Sequence, residues 1–331
     1  MPSERDPRAN GATLPSMAKL WVVGDYAWDV LIRTNAELLA GGDTFGEVNL
    51  APGGSAANSA VWAQRCGLPT AFVGKVGRDR LGDLAAEELE REGVEGWLIT
   101  SEAHATGSVA VWIDHRGQRS MVSGKGADHY LLPSELPRAA LENAPHIHVS
   151  GWSFFANPPR SAVREAVQLV KRAGGTASFD PASFQLIEQV GVDRFVRFTA
   201  DLGFDLLFPN ADEGRVLSGE TDPEKAVAGL SERYPGARIV LKLDAQGVRV
   251  QTEGAASAHV PPVESRQVDA TGAGDAFAGA FLSRWLNGVD PLDASRFAAG
   301  VSAWVIERSG ARPEPDGRLR RRIEPQAGED R

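Results

Sequence analysis

The chain has 331 residues, 42% hydrophobic and 24% charged, which is ordinary globular composition and enough length to bury a large core in one domain. A formal net charge of −9 argues against a nucleic-acid or anionic-membrane surface as the main partner, and no run of about twenty apolar residues offers a membrane span. The single cysteine, Cys66, rules out an intrachain disulfide framework and fits a reducing compartment, so the expectation is a soluble cytoplasmic protein.

Residues 1–18 mix Pro, Ser, Arg, Asn and Gly without an apolar core, the composition of a disordered tail. Lys19 to Gly24 is a short apolar run stopping at glycine, the form of a buried first strand in a parallel sheet. It delivers Asp25 and Asp29, and an acid just past the carboxyl end of a first strand lies where open α/β sheets bind ligands. Asp25 also reads as a turn acid, whereas Asp29 interrupts an apolar segment running on through Val30, Leu31 and Ile32.

The alternation after Phe45 predicts a strand ending in the turn Pro52-Gly53-Gly54. Ser55 to Cys66 then reads as a helix built on Ala56, Ala57, Ala60 and Ala63, with Ser55 as its cap. Gly53 and Gly54 allow close approach of a ligand, and the Asn58 amide offers a donor and an acceptor to a hydroxyl; a close-packed helix explains the same residues without a ligand. Leu81 to Glu92 is an acidic-faced amphipathic helix closed by Gly93. Thr106–Ile113 and Gln118–Ser123 form a hairpin about residues 114–117.

From His146 the chain alternates strands (His146–Ser150, Thr176–Phe179, Asp205–Phe208, Arg238–Leu243, Val248–Gln251) with helices (Arg160–Arg172, Asp222–Tyr234, Leu292–Glu307). That rhythm specifies a doubly wound α/β sheet with helices on both faces. His146 and His148 alternate on one strand, but no third ligand at suitable spacing accompanies them, so a zinc site is not expected. Asn210 to Glu213 follows a strand and again falls at a carboxyl edge; Asn210 also suits a helix cap.

Asp269, Thr271, Gly272, Ala273, Gly274 and Asp275 lead into a helix marked by Phe277, Phe281 and Trp285, with Thr271 as a candidate cap. A glycine-rich turn opening a helix gathers unpaired N–H groups at the positive end of the helix dipole, where an anion can dock. Asp275 adds a carboxylate able to take a proton from a nucleophile attacking a seated phosphoryl group. A tight turn with a capping acid is the plainer account. Residues 314–331 are rich in Pro, Gly and charge, and the basic cluster Arg318 to Arg322 reads as a solvated tail.

Asp-Ala-Thr-Gly-Ala-Gly-Asp-Ala-Phe at 269–277 resembles the C-terminal signature of the PfkB (ribokinase-like) carbohydrate kinases. Gly53 to Asn58, followed by Val73-Gly74-Lys75-Val76-Gly77-Arg78-Asp79 and Gly82, resembles the N-terminal signature of the same family. The resemblance covers roughly residues 19–313. It implies a ribokinase-like, mostly parallel sheet with a small β lid from about 30–51 and 105–125, a lid that often pairs in a homodimer. It further implies ATP-dependent phosphorylation of a sugar hydroxymethyl group. Asp275 would be the general base and the amides of Gly272, Ala273 and Gly274 the anion hole; Asp29, Gly53, Gly54 and Asn58 would hold the sugar. Asn210 and Glu213 would hold Mg2+ and phosphate through water, and Asp269 and Thr271 would shape a potassium site. Lys242 and Gly247 fall where the nucleotide loop is expected.

The chain also departs from the family pattern. Lys242-Leu243-Asp244 puts a carboxylate near a usual glycine position. Asp180-Pro181-Ala182-Ser183-Phe184 lacks the arginine of an Asp-Pro-Asn-x-Arg segment, the natural fork for a sugar-acid carboxylate, and the glutamate common in ribokinases near Gly151-Trp152 is missing. No Gly-x4-Gly-Lys-Ser/Thr sequence occurs, so the turn before Asp275 has to supply the main anion cradle. Two rivals to a sugar kinase are a nucleoside kinase, for which Phe45, Trp152 and Phe154 are available aromatics, and a sugar-binding regulator without turnover.

Overall fold

The computed structural model describes residues 16–114, 119–252 and 256–323. The chain runs β1 (Leu20–Val23), β2 (Ala27–Thr34), β3 (Gly46–Gly53), α1 (Ser55–Arg65), β4 (Thr70–Gly77), α2 (Arg80–Arg91), β5 (Glu95–Ser101), β6 (Gly107–Ile113), β7 (Arg119–Ser123), α3 (Arg138–Leu141) and β8 (His146–Ser150). It continues through α4 (Pro159–Arg172), β9 (Thr176–Asp180), α5 (Phe184–Val190), α6 (Val192–Thr199), β10 (Leu206–Leu207), α7 (Ala211–Ser218) and α8 (Pro223–Arg233). Last come β11 (Arg238–Lys242), β12 (Val248–Gln251), β13 (Ser257–Val260), α9 (Ala273–Trp285), α10 (Pro291–Ile306) and α11 (Gly317–Ile323).

Nine strands form the main sheet in the order β13-β12-β11-β10-β9-β8-β1-β4-β5, all parallel except β12, which is antiparallel to both β11 and β13. Strand order reverses at β1: the chain first builds outward through β4 and β5, then returns to the other side of β1 with β8. The carboxyl ends of β1 and β8 therefore flank a crevice, the place where such sheets bind ligands. Alternation along the strands decides the two cores. Leu20 and Val22 face α1, α2, α9 and α10, whereas Trp21 and Val23 face the layer built by α4 to α8.

A separate four-stranded sheet, β3-β2-β6-β7, stands over the crevice as the expected lid. The hairpin of β6 and β7 pairs antiparallel, while its turn at 115–118 lies outside the described residues. Strands β5 and β13 were not foreseen. Their sequences lack a strong alternation, and pairing with β4 and β12 creates them.

Helices α1 and α9 cross with almost nothing between them: a Cβ added at Gly279 would lie 2.5 Å from the Ser59 carbonyl oxygen and 2.7 Å from the Ala63 nitrogen. The alanines of α1 and the glycine of α9 are thus the condition for that approach.

Several expectations need correction. Ser55 does not cap α1; Gly54, at φ 89, is the N-cap, and the helix N–H groups of Ser55 and Ala56 donate to the Asp25 carboxylate. Nor does Thr271 cap α9, whose N-cap is Gly272 at φ 73. The assumed tails are partly built in. Ser16 donates to Glu95, and Ala18 is buried. Residues 317–323 form α11, with Leu319 in the core and Asp316 held by Trp304 and Arg308. One apolar residue among the arginines is enough to dock that turn, a pattern too short to read as periodic.

Candidate active site

Asp275 sits in the first turn of α9, directly after the glycine turn. Its Oδ2 accepts a 2.8 Å hydrogen bond from Asn58 Nδ2 on α1. Asn58 has its own orientation fixed, because Arg312 Nε donates to Asn58 Oδ1 at 2.7 Å and leaves only the amide N–H2 to face Asp275. Arg312 also donates to Glu88 at 2.7 Å and to the Gly53 carbonyl at 3.0 Å, all out of water. One buried guanidinium therefore ties α1, α2, the lid strand β3 and the end of α10 to a single geometry.

A cavity of about 530 Å³ opens above this pair. Of the residues expected at a site, Asp29, Gly54, Asn58, Thr271, Gly272 and Asp275 line it, joined by Asp25, Asp128, His129, Trp152, Ala182 and Gln185. Gly53 lies behind the wall, where a Cβ would come within 2.7 Å of the Asp29 carboxylate, so glycine there makes the seat for Asp29. Burial pushes the Asp29 carboxyl up to about 6, against Arg312 and helped by Asp25. Burial likewise pushes Asp275 up to about 7; the Asn58 hydrogen bond opposes the rise, while Asp180 and Asp25 add to it. A carboxylate poised near neutrality is what a general base at physiological pH requires.

Beneath the glycine turn lies Lys242. Its Nζ is 2.6 Å from Asp180 Oδ2, and a Cβ added at Gly274 would stand 3.2 Å from that Nζ. Burial works against its charge, but Asp180 and Glu213 outweigh that and hold the ammonium. The lysine thus lies under the N-terminus of α9, where it adds positive potential to the helix dipole.

Asn210 and Glu213 close a capping box at α7, each donating to or accepting from the other at 2.9 Å. Glu213 is buried and its carboxyl is pushed up by that burial and by Asp180. Neither residue lines the cavity. Among the described residues no group of three or more His, Cys, Asp or Glu is arranged to hold a metal ion. With both Glu213 oxygens accepting from Asn210, the described residues build no all-protein cage, and a magnesium ion suits this fold only as one that arrives on phosphate oxygens and keeps its waters.

Asp269 is buried; its carboxylate accepts from the N–H groups of Thr271 and Gly310 at 2.7 and 3.0 Å, pinning the glycine turn to the 310–312 loop. Gly247, at φ 85, closes the turn between β11 and β12 against the Val260 carbonyl, a packing reason for its glycine. Asp244 adopts φ 48, the left-handed conformation that makes glycine usual at such a position. The histidine pair is structural: His146 bonds Thr176 and Ser178, and His148 bonds Ser178, all inside the sheet. Of the three aromatics named for a nucleoside, Phe45 is exposed, Phe154 is core, and Trp152 alone lines the cavity.

Comparison with known proteins agrees with this arrangement. The model of the pfkB family carbohydrate kinases matches residues 17–316. The chain belongs to that family. It is 31% identical to a fructokinase of Escherichia coli over 274 residues, covering 80% of this chain and 84% of that one. It is 30% identical to an ATP-dependent ribose-1-phosphate kinase of Halopiger xanaduensis over 302 residues, covering 90% and 95%. Among solved structures, an E. coli protein provisionally assigned as ribokinase II, in complex with ATP and magnesium, superposes with a TM-score of 0.79 at 27% identity, covering 89% of this chain and 94% of that one. This family member is accordingly a carbohydrate kinase with the ribokinase fold. No helix among the described residues is long and apolar enough to cross a membrane.

Sequence reasoning assigns no individual role to Arg312, Asp128 or Asp180, and leaves Asp25 open as a turn acid. Asp25 had a usable signal, its place just past the first parallel strand. Arg312 had none, since its partners come from positions 53, 58 and 88.

Proposed function

We propose that this kinase transfers the γ-phosphoryl group of ATP to a hydroxymethyl group of a sugar, with Asp275 as the general base. The observation that carries the reading is the Asn58-held Asp275 carboxylate on the cavity wall, between the glycine turn and Asp29. The sugar would lie under the lid with hydroxyls on Asp29, Asn58 and Gly54, while Gly53 seats Asp29 from behind the wall. Asp275 takes the proton of the attacking hydroxyl as the oxygen approaches phosphorus in line. The amides of Gly272, Ala273 and Gly274, with Lys242 beneath them, stabilise the charge that develops on the phosphoryl oxygens. Magnesium, held by Asn210 and Glu213 through water, would neutralise phosphate charge when bound. Asp269 and Thr271 would offer oxygens to a monovalent cation beside the turn, and Lys242 and Gly247 border the nucleotide side. The lid closes over the acceptor and keeps water from competing for the phosphoryl group; its outer face is where two copies would pair.

A panel of pentoses, ketohexoses, aldohexoses and nucleosides with ATP and magnesium tests the reading by ADP release. Asp275→Asn should lower kcat by about 10²–10⁴ with little change in sugar binding. A near-normal rate removes Asp275 as base, and silence across the panel favours a binding protein without turnover.

A further inference from the structure

We infer that the acceptor end of the cavity selects a sugar that is neutral or carries an amino group, and that Asp128 is the residue that turns away acceptors bearing a carboxylate or a second phosphate. The inference rests on the kinase reading above and narrows its substrate class.

The cavity is divided electrically. At one end are the N-terminus of α9 and Lys242, which favour an anion. At the other, Asp25, Asp29 and Asp128 converge on the space under the lid. Asp25 reaches that wall from the end of β1, its oxygens accepting the Ser55 and Ala56 N–H groups. Asp128 comes from the short turn Ala127–Tyr130 that follows the lid strand β7. Two glycines make its seat: a Cβ at either Gly107 or Gly126 would lie 2.9 Å from Asp128 Oδ1. That oxygen is buried and accepts no hydrogen bond from the described residues, so it can accept one from a hydroxyl or ammonium group in the cavity.

No lysine or arginine is among the residues that line the cavity beside these acids, although the Arg312 charge behind the wall opposes the rise at Asp29. Arg312 is behind it with its N–H groups spent on Asn58, Glu88 and Gly53. Lys242 is held by Asp180 at the opposite end. Lys125 is exposed beyond the lining residue Gly124. His129 is the one lining group that can carry positive charge, and burial together with Lys125 holds it toward neutrality. The acids crowd one another: burial and Asp25 push Asp128 up to about 7. Hydroxyl or ammonium donors relieve that crowding, whereas an anion at the same place is repelled by each carboxylate. The arginine fork that would welcome a sugar acid is absent from the 180–184 segment, where Ala182 and Ser183 line the wall instead.

The test uses the full chain with ribose, fructose, 2-amino-2-deoxyglucose, gluconate and ribose 1-phosphate, measuring equilibrium binding by calorimetry without nucleotide and ADP release with ATP and magnesium. The best neutral or amino sugar should exceed gluconate and ribose 1-phosphate by at least about 10²-fold in affinity and in kcat/KM. Asp128→Asn should shrink that ratio about tenfold or more, and Asp128→Ser provides the same reading should the first variant fold poorly. Gluconate or ribose 1-phosphate binding within a few-fold of the neutral sugars overturns the inference, as does an unchanged ratio in a variant that melts normally. Selective binding of neutral sugars without ADP release supports the substrate class and refutes the kinase reading; absence of binding by any of the five refutes the class.

Discussion

Replacing Asn58 by Ala removes the side-chain donor placed 2.8 Å from Asp275, together with the oxygen that accepts from Arg312 Nε. A hydrogen bond to a charged acceptor contributes about 1.5–3 kcal/mol, and about 1.4 kcal/mol corresponds to one pH unit. Water entering the space left by the amide recovers part of this, so the loss falls near the lower bound, about one unit. The sign follows from which form the bond favours. Asn58 donates to the ionised carboxylate, so its loss raises a carboxyl that burial already holds up at about 7. With Asp275 as the proposed base, the acid limb of kcat/KM against pH should move from about 7 to about 8. At about pH 6.5 the variant should be slower by about tenfold beyond any uniform loss, and near pH 9 the gap should narrow. The assay is coupled ADP release across that range with a sugar the parent uses. A profile lowered evenly at every pH, with its midpoint unmoved, would refute the argument and reduce Asn58 to a substrate contact.

Arg312→Met leaves Glu88 and two carbonyl-type oxygens buried without their cation and should cost about 3–5 kcal/mol in a denaturant melt. Adding Glu88→Leu should recover part of that loss, and a double variant as unstable as the sum of the singles would argue against the pair. Ala182 holds φ 71, a conformation that asparagine tolerates better, so Ala182→Asn should raise stability by about 0.5–1 kcal/mol; a lower melting temperature would contradict the assigned strain. Gly279→Ala drives a methyl group into the α1 backbone and should cost about 1–3 kcal/mol and lower kcat, whereas an unaltered melt and rate would mean the crossing is softer than its distances imply.

The strand and helix rhythm after His146 and the two glycine signatures were legible because they are local: period, turn residues and spacing act within a few positions. The pattern predicts a strand over Asp205–Phe208, but β10 spans only Leu206–Leu207, because the sheet pairs only those two residues with β9 and β11. Asp29, Asn58 and Asp275 were readable as candidates, and the fold brings them to one cavity. What the residues could not reveal were relations across the chain. Lys242 falls where the nucleotide loop is expected, but its pairing with Asp180 depends on parallel strands that are neighbours only through β10. Asn210 looks like a cation ligand and a helix cap at once, and only its bonds to Glu213 show the cap being made. Asp128 sits among residues with no pattern at all, and its seat depends on two glycines, Gly107 and Gly126, that are distant in sequence and packed against each other.

Contact between α1 and α9 at Gly279 means that the amide orienting Asp275 and Asp275 itself are gauged by peptide planes, with no repackable side chain in between. Substitutions in either apolar layer can be absorbed by neighbouring rotamers, but at this crossing the same volume would become a displacement of one partner from the other. Acceptor preference can therefore drift through the lid, the Asp128 turn and the 180–184 segment while the spacing of the Asn58–Asp275 couple stays fixed.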